Sequence, residues 1–239
     1  MQPNSNARLR LFCFPYAGGA ASIYRTWHQY LPADIEVCAV QLPGRENRIR
    51  ERPFTDTNAL VQALLPHLQP YLDRPFALFG HSMGTIIAYE LAQQLQQQRQ
   101  QPPFRLLVSA RRAPFLPEPE ALVHLLPTDA QFLAELQRRY NNIPAMIFED
   151  AELRELFVPL LRADFTLVET YQHSDRPPLR CPIIAFGGAA DERASATELR
   201  AWQHVTQSTF ALHCLPGGHF YLNDQTQPLL ALITAVLTQ

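Results

Sequence analysis

Residues 80–84 read Gly-His-Ser-Met-Gly, between an apolar run, Phe76–Phe79, and a helical pattern from Thr85 to Leu95. Strand, sharp turn and helix in direct succession force the middle residue into a strained backbone conformation. Glycine two residues to either side leaves room for strand and helix to approach each other. The hydroxyl of Ser82 is then exposed at the C-terminal end of the strand, above a helix N-terminus, where developing negative charge is favoured. This one pentapeptide marks a candidate nucleophile and implies an α/β architecture.

The rest of the chain has to supply a base, because a serine hydroxyl is a poor nucleophile until its proton is taken. Eight of the nine glycines sit in four short pieces, and two later pieces carry the needed groups. The apolar run Cys181–Phe186 leads through Gly187-Gly188 to Asp191. Acid sites in open parallel sheets form at strand C-terminal ends, so Asp191 is the expected partner of a histidine. Asp164, Asp175 and Asp224 are rivals, but none directly follows a buried strand. A second apolar run, Phe210–Leu215, ends in Pro216-Gly217-Gly218-His219. His219 is the histidine placed on a glycine loop before the last helix, and the chain order serine, acid, histidine suits this architecture. His81 is expected to support the turn, and His213 to be a packing residue on its strand. The first piece, Phe14-Pro15-Tyr16-Ala17-Gly18-Gly19, follows the first strand. A tetrahedral intermediate needs two backbone N–H donors; Met83, next to the nucleophile, and Ala17 are the candidates for this oxyanion hole.

Coarse periodicity fits these placements. Strands are expected at Leu9–Phe14, Ile35–Val40, Phe76–Phe79, Arg105–Ser109, Ile183–Phe186 and Phe210–Leu215. Helices are expected at Ala21–Leu31, Thr57–Tyr71, Met83–Arg99, Ala194–Val205 and Gln227–Leu237. This alternation gives a mostly parallel sheet with helices on both faces, in one domain spanning 1–239. Only eight residues precede the first strand, which leaves no room for an N-terminal hairpin. Between Ala113 and His173 the strands stop. Leu122–Leu126, Asp129–Tyr140, Asp150–Leu161 and Arg162–Tyr171 all read as helix, with Pro114, Pro117, Pro119, Pro127 and Pro144 as breaks. This segment is a helical insertion: either a lid over the site or a surface excursion with no gating role.

Composition narrows the setting. Net charge is −2, so no strong field invites nucleic acid, and all 20 basic residues are arginine. Met1–Ala7 is polar, without a signal-peptide core, and no apolar stretch has the length of a bilayer span. Cys13, Cys38, Cys181 and Cys214 lie unpaired in apolar strand-like segments and are expected to be buried free thiols, which suits the cytoplasm. No spacing suggests a zinc, calcium or phosphate-loop site. One basic loop, Pro43–Arg52, allows two readings: contact with an acidic or phosphorylated partner, or a solvated loop with ion pairs to Glu46 and Glu51.

Taken together the motifs resemble the type II thioesterases, the free-standing editing enzymes of nonribosomal peptide and polyketide assembly lines. The resemblance runs nearly end to end, through Phe-Pro-Tyr-Ala-Gly-Gly at 14–19, Gln-Leu-Pro-Gly-Arg at 41–45, Gly-His-Ser-Met-Gly at 80–84 and Arg-Arg-Ala-Pro at 111–114. It continues in Leu-Arg-Ala-Asp-Phe at 161–165, Gly187-Gly188 with Asp191, Trp202 and Pro-Gly-Gly-His-Phe-Tyr-Leu at 216–222. It implies the α/β-hydrolase fold, with Ser82, Asp191 and His219 as triad and a helical lid between Ala113 and His173. The implied reaction removes acyl groups from the phosphopantetheine arm of a carrier protein, with no cofactor on the enzyme, and a monomer is expected. Ser109-Ala110, where a glycine often precedes the arginines, and Glu192-Arg193, where a proline often follows the acid, depart from the pattern and leave acyl preference open. Other readings are a generic ester hydrolase or peptidase of the same fold, or a non-catalytic docking protein.

Overall fold

The computed structural model describes Asn4 and residues 6–98, 101–118 and 120–238; Arg99, at the end of an expected helix, and Pro119 lie outside the described residues. Among the described residues six strands form the sheet: β1 (Leu9–Phe14), β2 (Ile35–Ala39), β3 (Phe76–His81), β4 (Arg105–Ser109), β5 (Ile183–Gly188) and β6 (Phe210–Leu215). Every pairing among them is parallel, in the order β2-β1-β3-β4-β5-β6. The helices are α1 (Thr57–Leu68), α2 (Met83–Gln97), α3 (Asp129–Tyr140), α4 (Ala145–Glu149), α5 (Ala151–Glu169), α6 (Ala196–Arg200), α7 (Tyr221–Asp224) and α8 (Thr226–Thr238).

A parallel sheet must be covered on both faces, and strand alternation sorts the apolar side chains accordingly. From β1, Phe12 and Phe14 join a core with α1, α2 and Trp202, while Leu9, Leu11 and Cys13 join a second core with Tyr24, Trp27 and α8. A third apolar cluster, including Phe132, Leu136, Ile147, Val158 and Phe165, belongs to the segment between β4 and β5. Among its described residues that segment carries helices and no strand, in keeping with the sequence pattern.

The chain leaves β1 for β2 on one side and returns to β3 on the other. This reversal opens a crevice between the C-terminal ends of β1 and β3, where doubly wound sheets bind ligands. The loop 14–19 and Ser82 therefore meet there by topology alone.

Several expectations need correction: Asp150–Leu161 and Arg162–Tyr171 run together as α5, and Leu122–Leu126 holds a 3-10 turn, Val123–Leu125. Ala21–Leu31 is not one helix but two 3-10 turns, Ala21–Tyr24 and Trp27–Gln29. Tyr24 closes the first turn and Trp27 opens the second, and both pack edge-on against Phe79. Similarly, the helix expected at Ala194–Val205 divides into α6 and a 3-10 turn, Ala201–Val205, after a capping box between Ser195 and Glu198. Of the four free thiols, Cys13 and Cys181 are buried and Cys38 is half-buried, but Cys214 is exposed. It lies on β6, an edge strand covered less than its neighbours. Burial pushes the thiols of Cys38 and Cys181 up to about 12.

Candidate active site

Ser82 has φ 53° and ψ −113° and caps the N-terminus of α2. For a non-glycine residue this costs on the order of 1–3 kcal/mol, and the surroundings hold it in place. Ser82 N–H donates to the Ser109 carbonyl at 2.8 Å. The Thr85 hydroxyl contacts the carbonyls of Gly80 and Ser109 at 2.7 and 3.0 Å. A Cβ on Gly84 would stand 2.1 Å from the Phe14 carbonyl oxygen, and one on Gly80 would stand 2.2 Å from that of Gly84. Helix, β3 and β1 approach here too closely for any side chain.

The other two loops are equally close. A Cβ on Gly188 would lie 2.2 Å from the carbonyl oxygen of Gly218, so the loops after β5 and β6 run side by side. The imidazole of His219 spans the gap between Asp191 and Ser82. Its Nδ1 lies 3.0 and 3.2 Å from the two carboxylate oxygens of Asp191, and its Nε2 lies 3.0 Å from Ser82 Oγ. With Nδ1 protonated toward the carboxylate, Nε2 faces the serine as an acceptor. The Asp191 side chain is fully buried and also accepts the Arg193 backbone N–H at 2.8 Å.

Backbone donors near Ser82 can be sorted by who already uses them. The Gly18 N–H donates to Asp164 at 2.7 Å and the Gly19 N–H to the Tyr16 carbonyl at 2.9 Å. Ala17 lines the cavity together with Ser82, Met83 and His219, and Met83 opens α2, where the first-turn N–H groups have no partner within the helix. The cavity is about 720 Å³ and predominantly apolar beyond the serine, with Leu136, Ile147, Phe157 and Leu161 on its walls. It offers an oxygen nucleophile, a base and an apolar chamber, a combination suited to acyl transfer.

The profile described as "Thioesterase domain" matches residues 9–237. The chain belongs to the thioesterase family. It is 43% identical over 227 residues to gramicidin S biosynthesis protein GrsT of Aneurinibacillus migulanus, covering 95% of this chain and 88% of that protein. Among solved structures, the RedJ thioesterase from the prodiginine biosynthetic pathway in Streptomyces coelicolor superposes with TM-score 0.88 at 39% identity, covering 96% of this chain and 90% of that one. The type II thioesterase BorB from the borrelidin biosynthetic cluster gives 0.87 at 38% identity, with 98% and 94% covered. These likenesses bear out the resemblance, the fold and the reaction class: this thioesterase is a hydrolase of thioesters on an α/β-hydrolase scaffold.

Residues that were rivals for these places sit elsewhere in the thioesterase. Asp175 and Asp224 are exposed. His213 stacks on Phe186. His81 is fully buried beneath the site, with its Nδ1 2.8 Å from Ser109 Oγ, which in turn lies 2.7 Å from the Tyr221 hydroxyl. Desolvation holds its pKa well below the ordinary histidine range, with the nearby His219 adding to the effect, so His81 stays neutral.

The basic loop divides into a solvated stretch with the expected ion pair to Glu51 and one buried arginine. Arg48 does pair with Glu51, and Arg50 and Arg52 are exposed. Arg45, however, is buried and forms a bidentate pair with Asp164 on α5 at 2.8 and 3.1 Å. Sequence reasoning separated these two residues, taking one as a surface cation and the other as a rival acid. The available signal was the position of Asp164 among Leu160, Leu161, Phe165 and Val168, since a lone acid on an apolar helix face implies a buried partner. Tyr140, whose ring centroid lies 5.2 Å from that of His219, was also missed as a site residue.

Proposed function

We propose that this thioesterase removes acyl groups from the phosphopantetheine arm of carrier proteins, as a free-standing editing enzyme of a nonribosomal peptide or polyketide assembly line. The observation that carries the reading is the bridge by His219 between Asp191 and Ser82, with Ser82 and His219 lining an apolar chamber of about 720 Å³. Homologues named for gramicidin S, prodiginine and borrelidin biosynthesis support the assembly-line setting.

The reaction runs in two halves. His219 takes the proton of Ser82 as its oxygen attacks the thioester carbonyl, with Asp191 stabilising the imidazolium. The N–H groups of Met83 and Ala17 hold the oxyanion, a contribution of about 2.7–4 kcal/mol for each donor. Collapse expels the pantetheine thiol, which recovers a proton from His219, and leaves acyl-Ser82. Water, deprotonated by His219, attacks the ester; the free acid departs and Ser82 regains its proton. The protein's own side chains and backbone suffice for this chemistry. The segment between Ala113 and His173 acts as a lid over the acyl chamber. The setting is cytoplasmic and the working unit a monomer; no described helix is long and apolar enough to cross a membrane.

Turnover of acyl-carrier thioesters compared with simple esters and amides of the same acyl group tests the reading. Higher kcat/KM on the carrier thioester is expected, and preference for the amide would overturn it.

A further inference from the structure

The ion pair between Arg45 and Asp164 joins parts of the chain that the proposed chemistry uses separately. Its side chains are only 4% and 2% exposed. A buried pair is often no more stabilising than an apolar pair of the same size, so its remaining hydrogen bonds are informative. Asp164 accepts the N–H of Gly18 at 2.7 Å, and Arg45 donates to the carbonyl of Gly19 at 2.9 Å. Both partners therefore end on the loop after β1, one on an N–H and the other on the next residue's carbonyl.

The geometry passes from there to Ala17. The Gly19 N–H holds the Tyr16 carbonyl. That carbonyl and the Ala17 N–H belong to one planar trans peptide and point in opposite directions. Anchoring Gly18 and Gly19 thus fixes the direction of the Ala17 N–H. Asp164 comes from α5, and Leu161 of the same helix packs so near Gly18 that a Cβ there would lie 2.6 Å from its Cδ2.

We propose that Arg45 and Asp164 are positioning residues for the oxyanion hole, through which helix α5 of the inserted segment sets the direction of the Ala17 N–H. This rests on Ala17 being an oxyanion donor. Displacing α5 then removes the loop's anchor, so the active geometry exists only while that helix is seated.

The variants Asp164→Asn and Arg45→Lys, and the double apolar replacement of Arg45 by Met with Asp164 by Leu, separate positioning from folding. The double variant replaces the buried charges by side chains of similar bulk and is expected to stay folded. Three quantities are measured: steady-state kinetics on an acyl-carrier thioester, the Kd of a non-hydrolysable thioether analogue, and the Ki of an acyl trifluoromethyl ketone. Addition of Ser82 to that ketone creates an oxyanion. The expected loss in kcat is about 10- to 100-fold, less than or equal to that for deleting a donor, with thioether Kd unchanged within about threefold. The ketone Ki should rise by the same factor as kcat/KM falls. Wild-type kinetics and Ki in the folded double variant, or a defect confined to thioether binding, overturns the inference alone. A wild-type enzyme not inhibited by the ketone overturns the oxyanion assignment and the inference with it.

Discussion

The ring of Tyr140, at the C-terminal end of α3, lies 5.2 Å from the imidazole of His219 between centroids. The same ring contacts Phe165 on α5 and lies under the Arg193 guanidinium. A wall of the site is thus built by the segment between β4 and β5. Aromatic contacts of this kind contribute about 0.5–1.5 kcal/mol each. Tyr140→Ala is expected to lower kcat/KM several-fold to about tenfold at unchanged fold, while Tyr140→Phe keeps most of the activity. Equal kinetics for Tyr140→Ala and wild type would show that this wall has no part in turnover.

Gly84→Ala tests the elbow. Its Cβ would lie 2.1 Å from the Phe14 carbonyl, a clash with backbone that no rotamer relieves. Overpacking of this kind costs on the order of 1–3 kcal/mol, or about 2–4 °C of Tm per kcal/mol for a chain of this size. Thermal unfolding should show that loss together with a large fall in turnover, because helix and β1 must separate to admit the methyl. An unchanged Tm would mean that the approach is looser than described.

These features differ in how far local sequence discloses them. The six strands are short apolar runs bounded by turn residues, and a parallel sheet buried on both faces makes such runs conspicuous. Ser82, Asp191 and His219 each end a local strand-loop pattern with glycine, so short stretches suffice to find them. The pairing of Arg45 with Asp164 depends on where α5 lands, which no short stretch encodes. Ala21–Leu31 has apolar spacing compatible with either an α-helix or 3-10 turns, and tertiary packing of Tyr24 and Trp27 decides between them. Cys214 looks buried because its strand is apolar, but edge position is set by sheet order, which is a property of the whole fold.

Acyl length should be set by the apolar walls of the chamber. Ile147 is buried and lines it. Ile147→Phe adds bulk there, and is expected to depress kcat/KM for a dodecanoyl thioester at least several-fold while sparing an acetyl thioester, since each excluded methylene forfeits about 0.8 kcal/mol. A uniform effect on both chains would place the acyl group elsewhere.

The neutral state of His81 makes stability depend on pH. Its folded pKa is held well below the ordinary 6.5. Below pH 6.5 the unfolded chain therefore binds a proton that the native state refuses, and stability falls as pH falls through that range. One such proton corresponds to about 1.4 kcal/mol per pH unit at most. Urea unfolding between pH 4.5 and 7.5 should give a shallower acid limb for His81→Gln than for wild type. Identical slopes would mean that His81 takes up its proton while folded.

The acyl-Ser82 intermediate is the most direct check on the mechanism. Rapid quenching of the enzyme with an acyl-carrier thioester, followed by intact-mass and peptide mass spectrometry, should reveal one acyl group on the peptide containing Ser82. It should also show no adduct and no acid release above background for Ser82→Ala. Undiminished acid release by the folded Ser82→Ala variant, with no adduct on the wild-type enzyme, would contradict the account.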